Sequence, residues 1–314
     1  MAIREIGFVL GWGPASMKKV VLITGSSTGF GRATAELLGR RGYTVFATMR
    51  ESSSRNAAHR EALELLAAKD NLPIQVVEMD VCDEGSVSAA TEQILERAGR
   101  IDVVINNAGV AALGITEAYT VQKMQKLFEV NFFGVARVNR AVLPTMRRQR
   151  SGLLIHVSSA AGRLVPAYLG VYCASKFALE ALADTYRFEL APFGVDSVIV
   201  EPGIHRTPIL EAFQLPDDET RAAEYHPDTD FTSRVKGVFD AANASSHTPG
   251  SAEVAEAFLR LIEMPAGTRP FRTVPTPAMA PLLEPYNTAA GEIRQIVAQA
   301  FNIPELMVLK TSPG

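Results

Sequence analysis

The chain has 314 residues, a formal net charge of -3 and 47% hydrophobic residues, which is an ordinary globular composition. The near balance of charge gives no indication of a nucleic-acid partner or of an anionic membrane surface. The two cysteines, Cys82 and Cys173, form neither a disulfide framework nor a CxxC metal motif. We therefore expect a reducing, cytoplasmic setting, with no metal site and no nucleic-acid or membrane partner.

The first 17 residues precede the first regular pattern of the sequence. Their apolar run, IGFVLGWG, is interrupted by glycines and is much shorter than the roughly 20 residues that a membrane span requires. They also lack the features of a good signal peptide, since Glu5 follows the single early arginine and no convincing cleavage site is present. We interpret residues 1–17 as an extension or an upstream start codon.

From Lys18 onward, short apolar runs alternate with longer helical patterns. The apolar runs predict strands, in chain order KVVLITG, YTVFATM, PIQVVEMD, IDVVINNAG, GLLIHVSSAAG, GVDSVIVEPG and FRTVPT. The other patterns predict helices at 29–41, 57–69, 86–99, 117–130, 132–149, 171–193 and 251–264. Strands that are apolar throughout are typical of a parallel sheet buried on both faces. The alternation predicts an α/β fold, a single Rossmann-type doubly wound parallel sheet with helices on both faces.

The polar segment 204–250 interrupts this order. A long segment of this kind is usually a lid or a binding loop, and we expect a small helical lid over the substrate. Residues 277–310 have the pattern of a loop and a helix with proline punctuation. The predicted organisation is a catalytic domain at 18–275 and a C-terminal extension of the same domain at 276–314.

Glycines lie between the first strand and the first helix, in TGSSTGFG. Gly25, Gly29 and Gly31 would let the backbone turn sharply and approach a pyrophosphate, while the helix N-terminus supplies free N–H groups. A glycine trio alone is a weak signal, and the alternative is a tight turn without a ligand. The strand before the turn and the helix after it favour a nucleotide site.

A second motif, YCASK, places Tyr172 and Lys176 four residues apart, so both side chains share one face of a helix. A phenol beside an ammonium group is a plausible proton donor with a lowered pKa. The same pair occurs on many helices by chance, so its meaning depends on the other motifs of the chain.

Taken in order, the motifs resemble those of the short-chain dehydrogenases/reductases. TGSSTGFG is similar to the cofactor turn of that family, NNAG at 106–109 to its motif after the fourth strand, and PG at 202–203 to the turn after its sixth strand. Asn131, SSAAG and YCASK match its catalytic Asn, Ser and Tyr-x-x-x-Lys positions. The resemblance covers about residues 18–275 and implies an oxidoreductase that transfers hydride.

The resemblance implies a catalytic role for four side chains. Tyr172 would exchange a proton with the substrate oxygen, and Lys176 would lower the pKa of the phenol and bind the nicotinamide ribose. Ser159 would hold the carbonyl oxygen. Its neighbour Ser158 is the alternative, but the spacing to Tyr172 favours Ser159, since strand side chains alternate between faces. Asn131 would keep a water in line with Lys176.

The end of the second strand bears on the choice of cofactor. NAD-binding members of the family usually carry an acid there. In FATMRE, Met49 falls at the acid position and Arg50 follows it, and a guanidinium can pair with a 2′-phosphate. This favours NADP(H). NAD(H) stays open, because a shift of two residues would place Glu51 at the acid position and Thr28 is not the second basic residue of many NADP-preferring members.

Further cofactor contacts follow from the resemblance. Asp80 matches the position that binds the adenine amino group, and its alternative role is a helix N-cap near Asp83. The expected cofactor-binding residues are Gly25, Ser27, Thr28, Gly29, Phe30, Gly31, Arg50, Asp80, Val81, Asn107, Ala108, Gly109, Tyr172, Lys176, Pro202, Gly203 and Thr207.

Two residues are candidates for substrate contact. Tyr168 lies four residues before Tyr172 and is expected to line the pocket, while His205 is either a substrate contact or a loop residue. His156 is expected in the core, and Cys173 is expected to have a packing role.

The branch that the chain most resembles contains hydroxysteroid and retinol dehydrogenases, so apolar, bulky alcohols or ketones are the expected small-molecule substrates. A homodimer or homotetramer is expected, with helices near 132–149 and 171–193 at the dimer face. A non-catalytic NAD(P)-binding redox sensor is one alternative function, although such proteins typically lack the Tyr and Lys. A sugar-nucleotide epimerase or dehydratase is another, although these usually have GxxGxxG spacing.

Overall fold

The computed structural model describes residues 18–225 and 230–311. The interpretation of residues 1–17 as an extension therefore lies outside the described residues, as do residues 226–229 of the expected lid and residues 312–314 of the expected C-terminal extension.

The described residues form one sheet of seven parallel strands, in the order β3-β2-β1-β4-β5-β6-β7. The strands are β1 (Val20–Ile23), β2 (Thr44–Met49), β3 (Ile74–Glu78), β4 (Val103–Asn106), β5 (Gly152–Val157), β6 (Val195–Val200) and β7 (Arg272–Thr273). The strand order reverses between β1 and β4, and a crevice forms beyond the carboxyl ends of the strands at such a point. The predicted doubly wound parallel sheet is confirmed.

Helices cover both faces of this sheet. They are α1 (Gly29–Arg40), α2 (Ala57–Lys69), α3 (Glu84–Ala98), α4 (Val121–Phe128), α5 (Gly134–Gln149), α6 (Gly170–Glu189), α7 (Glu219–Glu224), α8 (Phe231–Ala244), α9 (Ser251–Glu263) and α10 (Ala280–Ala300). No helix among the described residues is both long enough and apolar enough to cross a bilayer.

The apolar strands supply two cores, one on each face of the sheet. On one face, Ile23 of β1 packs in a cluster with Leu38 of α1 and Phe258 of α9. On the other face, Leu22 packs in a cluster with Ile94 of α3 and Val142 of α5. Because neighbouring residues of a strand point to opposite faces, both must be apolar, which is why the strands show no polar alternation.

The segment 204–250 contains two helices, α7 and α8, where the sequence pattern was mostly irregular. Each begins at an aspartate whose carboxylate accepts a backbone N–H, from Arg221 for Asp218 and from Ser233 for Asp230. Such N-caps let short polar helices form without a strong apolar pattern. The side chains of Val235 and Phe239 on α8 pack on a cluster that includes Leu113 and Leu169, so α8 lies against the sheet's carboxyl edge.

Candidate active site

A cavity of about 480 Å³ opens at the carboxyl ends of the strands, where the strand order reverses. Its volume lies within the usual range for a small-molecule site. Sixteen of the seventeen expected cofactor residues line it, and Gly31 is the exception. The cavity therefore brings together residues from six separate parts of the chain.

The glycine turn after β1 forms one end of this cavity. Gly25 has a left-handed φ of +66°, and a Cβ atom there would lie 2.8 Å from the Cα atom of Ala108. Gly31 supports the turn from inside, because a Cβ atom there would lie only 2.4 Å from the carbonyl oxygen of Gly25. The turn thus presents bare backbone at the start of α1, as close approach to a pyrophosphate requires.

The loop after β4 is fastened to this glycine turn. The Asn107 side chain donates to the carbonyl oxygens of Thr24 (2.8 Å) and Gly25 (2.9 Å). The backbone N–H groups of Asn107 and Ala108 both donate to the Thr24 hydroxyl at 2.9 Å. The Asn107 amide is therefore committed to holding two loops together, and its backbone and that of Ala108 line the cavity.

The end of β2 and the turn after it line the same cavity with Met49, Arg50 and Arg55, which lies five residues beyond Arg50. Glu51 is not part of the lining. Its backbone N–H donates to the Glu78 carboxylate, which also binds Ser52. Sequence reasoning missed Arg55, because it follows a turn whose shape has no recognisable motif.

Asp80 and Val81 line the cavity beyond β3. The alternative role of Asp80 as a helix N-cap is wrong, because the cap of α3 is Asp83, whose carboxylate accepts the N–H of Ser86. Asp80 instead accepts the N–H of Cys82 at 2.9 Å, which fixes its carboxylate at the edge of the cavity.

Ser159 and Tyr172 meet at the opposite end. The Ser159 hydroxyl shares a hydrogen bond with the Tyr172 side chain and also accepts the N–H of Ala161 at 3.1 Å. Ser158 lines the cavity as well, but within the described part of the chain its hydroxyl has no hydrogen-bond partner. Burial raises the pKa of Tyr172 to about 12, and the hydrogen bond with Ser159 opposes that rise. The phenol is therefore neutral at physiological pH.

Lys176 lies one helical turn beyond Tyr172, with its Nζ atom 5.9 Å from the centre of the phenol ring. The ammonium group donates to the carbonyl oxygen of Val157 at 2.8 Å. Burial lowers the pKa of Lys176 to about 8, and the Glu180 carboxylate opposes this shift. The expected lowering of the Tyr172 pKa by Lys176 does not dominate here, because desolvation of the buried phenol is the larger effect.

Asn131 is fully buried in a π-helical segment, Glu129–Phe133, between α4 and α5. Its amide accepts the N–H of Val110 and donates to the Val110 carbonyl, both at 2.9 Å, and it donates to the Ser175 hydroxyl at 3.0 Å. Asn131 does not line the cavity. Its side chain joins the loop after β4 to the helix that carries Tyr172 and Lys176.

The turn after β6 forms a further wall with Pro202, Gly203, His205 and Thr207. The buried His205 ring lies edge-on to Phe30 of the glycine turn, with centroids 5.3 Å apart, and its Nδ1 atom is 3.2 Å from the carbonyl oxygen of Gly203. Desolvation lowers the pKa of His205, which favours a neutral ring. His205 thus connects the two turns that flank the cavity.

Tyr168 does not line the cavity, contrary to expectation. It precedes the first residue of α6 and has a left-handed φ of 67°, so it is not on the helical face of Tyr172. Its side chain packs on the cluster that includes Leu113 and Leu169. His156 and Cys173 are buried, as expected, and neither lines the cavity.

Much of the cavity lining is apolar, and its apolar residues include Leu164, Leu169, Ile209, Leu210, Phe213, Phe239 and Met279. Tyr172 shares a hydrophobic cluster with three of these residues, Leu169, Phe213 and Phe239. The apolar residues of the lining come from the loop after β5, from the 204–250 segment and from the chain beyond residue 276. The described residues contain no cluster of His, Cys, Asp and Glu that could hold a metal ion.

A parallel sheet with a bare glycine turn at its switch point, and with Ser, Tyr and Lys side chains in the adjoining cavity, defines a nucleotide-binding oxidoreductase of the Rossmann type. The sequence model of the family described as short chain dehydrogenase matches residues 19–217. The chain belongs to the short-chain dehydrogenase/reductase family.

Individual relatives agree with this assignment. The 3-ketodihydrosphingosine reductase of Bacteroides thetaiotaomicron is 37% identical over 190 residues, which cover 60% of this chain and 65% of that protein, a little under two thirds of its length. The 17-beta-hydroxysteroid dehydrogenase type 1 of Homo sapiens is 34% identical over 273 residues, covering 85% of this chain and 80% of that protein. A short-chain dehydrogenase/reductase from Burkholderia phymatum, solved in complex with NAD, has a TM-score of 0.71 at 27% identity, covering 85% of this chain and 92% of that chain.

Proposed function

We propose that the protein is an NADP(H)-dependent oxidoreductase that interconverts a carbonyl and a secondary alcohol on an apolar, bulky substrate. The observation that carries this proposal is the hydrogen-bonded Ser159–Tyr172 pair, with Lys176 beside it, in the apolar end of a cavity whose other end is a glycine turn. The catalytic domain would extend over residues 18–275, with the lid at about 204–250 and a C-terminal extension at 276–314.

The cavity fits a nicotinamide cofactor. The tight contacts at Gly25 and Gly31 support a pyrophosphate position at the start of α1, because a side chain at either residue would collide with the adjoining backbone. When bound, the cofactor supplies or accepts the hydride. Asp80 and Val81 would contact the adenine, while Lys176, Pro202, Gly203 and Thr207 would contact the nicotinamide riboside.

Two cationic side chains support a preference for NADP(H). Arg50 and Arg55 both line the cavity at the end of β2, where the 2′ position of the adenosine ribose would lie. Glu51, the residue that favoured NAD(H), does not line the cavity. Arg55 provides the second basic residue that Thr28 does not supply.

The protonation states of the site suit carbonyl reduction. Ser159 would donate a hydrogen bond to the substrate oxygen, and the neutral Tyr172 hydroxyl would transfer its proton to that oxygen as the alkoxide forms. Lys176 would stabilise the resulting phenolate through its charge. Asn131 would keep the segments around Lys176 in place and, as in the family, support a water that returns the proton from solvent.

The substrate class is supported by the walls of the cavity. Phe213 and Phe239 lie with their ring centroids 5.2 Å apart, both line the cavity, and both pack on the cluster that includes Leu169. A bulky apolar group gains roughly 25 cal/mol per Å² of apolar surface that it buries against such a wall. The names of the two curated relatives, a ketodihydrosphingosine reductase and a hydroxysteroid dehydrogenase, point to the same class of compound.

The alternatives receive less support. A redox sensor would not need Ser159, Tyr172 and Lys176 assembled in the cavity. A sugar-nucleotide epimerase or dehydratase would need a polar substrate site, and the wall beside Tyr172 is apolar.

Replacing Tyr172 by Phe tests the proposal. We expect NADPH-dependent reduction of a bulky apolar ketone to fall by about 10² to 10⁴, since general acid catalysis typically contributes that factor. Cofactor affinity, measured by NADPH fluorescence, should change little. The matched control is Tyr168→Phe, which alters a tyrosine outside the cavity and should keep the parental rate. Unchanged turnover in Tyr172→Phe would contradict the proposed mechanism.

A further inference from the structure

One guanidinium group joins three chain segments that carry the candidate catalytic residues. Arg163 lies four residues after Ser159 and forms ion pairs with Glu180 at 3.1 Å and with Glu201 at 3.3 Å. Glu180 lies on α6, one turn beyond Lys176, and Glu201 directly precedes Pro202 and Gly203. Arg163 therefore links the Ser159 loop, the Tyr172 helix and the turn expected to face the nicotinamide.

The two carboxylates are almost completely shielded from solvent. The side chains of Glu180 and Glu201 are 3% and 0% exposed. On the side away from the cavity, Arg272 of β7 lies 3.0 Å from Glu180 and 3.7 Å from Glu201, and Asn287 of α10 donates to Glu201 at 2.5 Å. Each carboxylate is thus held between cations on two sides, and neither can turn freely.

Stability alone does not explain a buried network of this kind. Removing ions from water is costly, and well-packed apolar side chains of similar volume often stabilise a protein as well or better. What these contacts supply is position: the Arg163 Nε–H donates a hydrogen bond to Glu201, a directional contact, while a terminal nitrogen of the same rigid group lies 3.1 Å from Glu180 as an ion pair. A two-armed contact of this type fixes the relative position of the segments that it joins.

Close packing leaves these segments little freedom to adjust. The short turn at Ala160–Gly162 lies between Ser159 and Arg163, and a Cβ atom at Gly162 would lie 2.5 Å from the Ser158 hydroxyl and 3.1 Å from Glu180. The backbone N–H of Ala160 also donates to the carbonyl of Pro202 at 2.8 Å. A shift of Glu180 or Glu201 would therefore reach Ser159 and the Pro202 turn directly.

We propose that Arg163 is a positioning residue, which sets the Ser159 hydroxyl, the Tyr172–Lys176 face of α6 and the Pro202–Gly203 turn in register through its paired contacts with Glu180 and Glu201. This proposal rests on the proposed function, because it concerns the relative positions of the residues of the same site. It does not place Arg163 in contact with substrate or cofactor, and Arg163 does not line the cavity.

The chain provides a closely matched control. Arg294 of α10 belongs to the same ionic network and is equally buried, with a side chain 16% exposed against 17% for Arg163. Its ion pair is with Asp184, at 3.2 Å, one turn further along α6 than Glu180. Arg294→Met therefore removes the same type of charge from the same network without releasing the Ser159 loop.

The first experiment compares Arg163→Met with Arg294→Met in the full chain. We expect kcat for ketone reduction to fall by about 10- to 100-fold in Arg163→Met, because a displacement of about 1 Å among reacting groups can cost that factor. Arg294→Met should stay within about 2-fold of the parent protein, while both variants show similar thermal unfolding midpoints. Equal loss of kcat in both variants, or loss that tracks the unfolding midpoint, would overturn the proposal.

Two further measurements separate positioning from folding. Added guanidinium ion, at concentrations far below those that unfold the protein, should raise kcat of Arg163→Met and leave Arg294→Met unchanged. If Arg163→Met does not fold, Arg163→Lys replaces it, because lysine keeps the charge but has only one arm. If kcat for Arg163→Lys equals that of the parent, a positive charge alone is sufficient for activity. The proposed positioning through paired contacts would then be rejected.

A last measurement separates failure of this proposal from failure of the proposed function. If the parent protein turns over no carbonyl or alcohol with either nicotinamide cofactor, the proposed function is wrong. The affinity for NADPH then tests whether Arg163 positions the Pro202–Gly203 turn. Fluorescence titration should show several-fold weaker NADPH binding in Arg163→Met than in Arg294→Met, because the Pro202–Gly203 turn loses its anchor. Equal affinities would refute the register role independently of catalysis.

Discussion

Among single residues, Arg50 at the end of β2 has the most direct expected effect, which is on the choice between NADPH and NADH. Met49 occupies the position at which an acid would bind ribose hydroxyls, and its buried side chain offers no hydrogen bond. Arg50 and Arg55 line the cavity there, whereas Glu51 is drawn away by the contact of its backbone with Glu78. These two cations are the basis of our proposal that the ligand carries a 2′-phosphate.

Replacing Arg50 by Ala should therefore weaken NADPH selectively. We expect the KM for NADPH to rise by about 10-fold or more, since a charge-assisted hydrogen bond contributes about 1.5–3 kcal/mol, while the KM for NADH stays nearly constant. Steady-state kinetics with both cofactors measure the difference. Glu51→Ala is the control from the same loop, and a selective loss of NADH use in that variant, or a parent enzyme that prefers NADH, would reverse the assignment.

Among the elements, the end of β6 is unusual because several charged side chains are buried around it. Glu201 follows the last residue of β6 and lies among Arg163, Arg272, Glu180 and Asn287. Burial and the neighbouring Glu180 carboxylate raise the pKa of Glu201 to about 7, although Arg163, Arg272 and Asn287 act in the opposite direction. The junction of β6 with α6, β7 and α10 is thus sensitive to protonation near neutral pH.

The free energy of unfolding should consequently fall as pH rises through this range. An ordinary Glu releases its proton near pH 4.5 in the unfolded chain, whereas folded Glu201 keeps it until about pH 7, so the folded state binds more protons between these values. The contribution of Glu201 to stability is complete below about pH 4.5 and is lost as pH approaches 7, at a cost of order 1–3 kcal/mol.

Denaturant unfolding of the parent protein and of Glu201→Gln at several pH values measures this effect. The difference in unfolding free energy between the two proteins should move in favour of Glu201→Gln as pH rises from about 5 to 7, because Gln cannot ionise. A difference that is constant with pH would mean that Glu201 is ionised throughout, held by Arg163 and Arg272.

The sequence predicts those features that depend on residues close together along the chain. The strands follow from apolar runs, the glycine turn from its spacing, and the Tyr172–Lys176 pair from one turn of α6. Arg55, Phe239 and Met279 could not be predicted as cavity residues, because tertiary packing alone brings them there. The expectation that Tyr168 lines the pocket came from its spacing to Tyr172, but the left-handed backbone at Tyr168, just before α6 begins at Gly170, directs the chain differently from a helix.

Among the exposed apolar side chains of the described residues, those on two groups of helices bear on the assembly of the whole molecule. One group is at the start of α5 and on α6, where Phe133, just before α5, and Phe177 are 44% and 40% exposed. The second lies along α10, where Ile293 and Ile296 are 58% and 63% exposed. Large apolar side chains that are exposed together often belong to an interaction site. We propose that α5 and α6 form the face of a homodimer, since this is the face that the family resemblance implies.

A charge placed on that face should therefore dissociate the dimer. We expect Phe177→Glu to convert a dimer to a monomer in sedimentation equilibrium at micromolar concentration, because two buried glutamates would approach each other across a two-fold axis. Ile296→Glu, which places the same charge on α10, should leave the dimer intact and gives the matched control. Phe177 is exposed in the single chain, so its replacement should change the unfolding midpoint little. If Ile296→Glu dissociates the dimer and Phe177→Glu does not, the dimer contact lies on α10. If the parent protein is a tetramer and each variant alone converts it to a dimer, each of the two faces forms one of the contacts of a homotetramer.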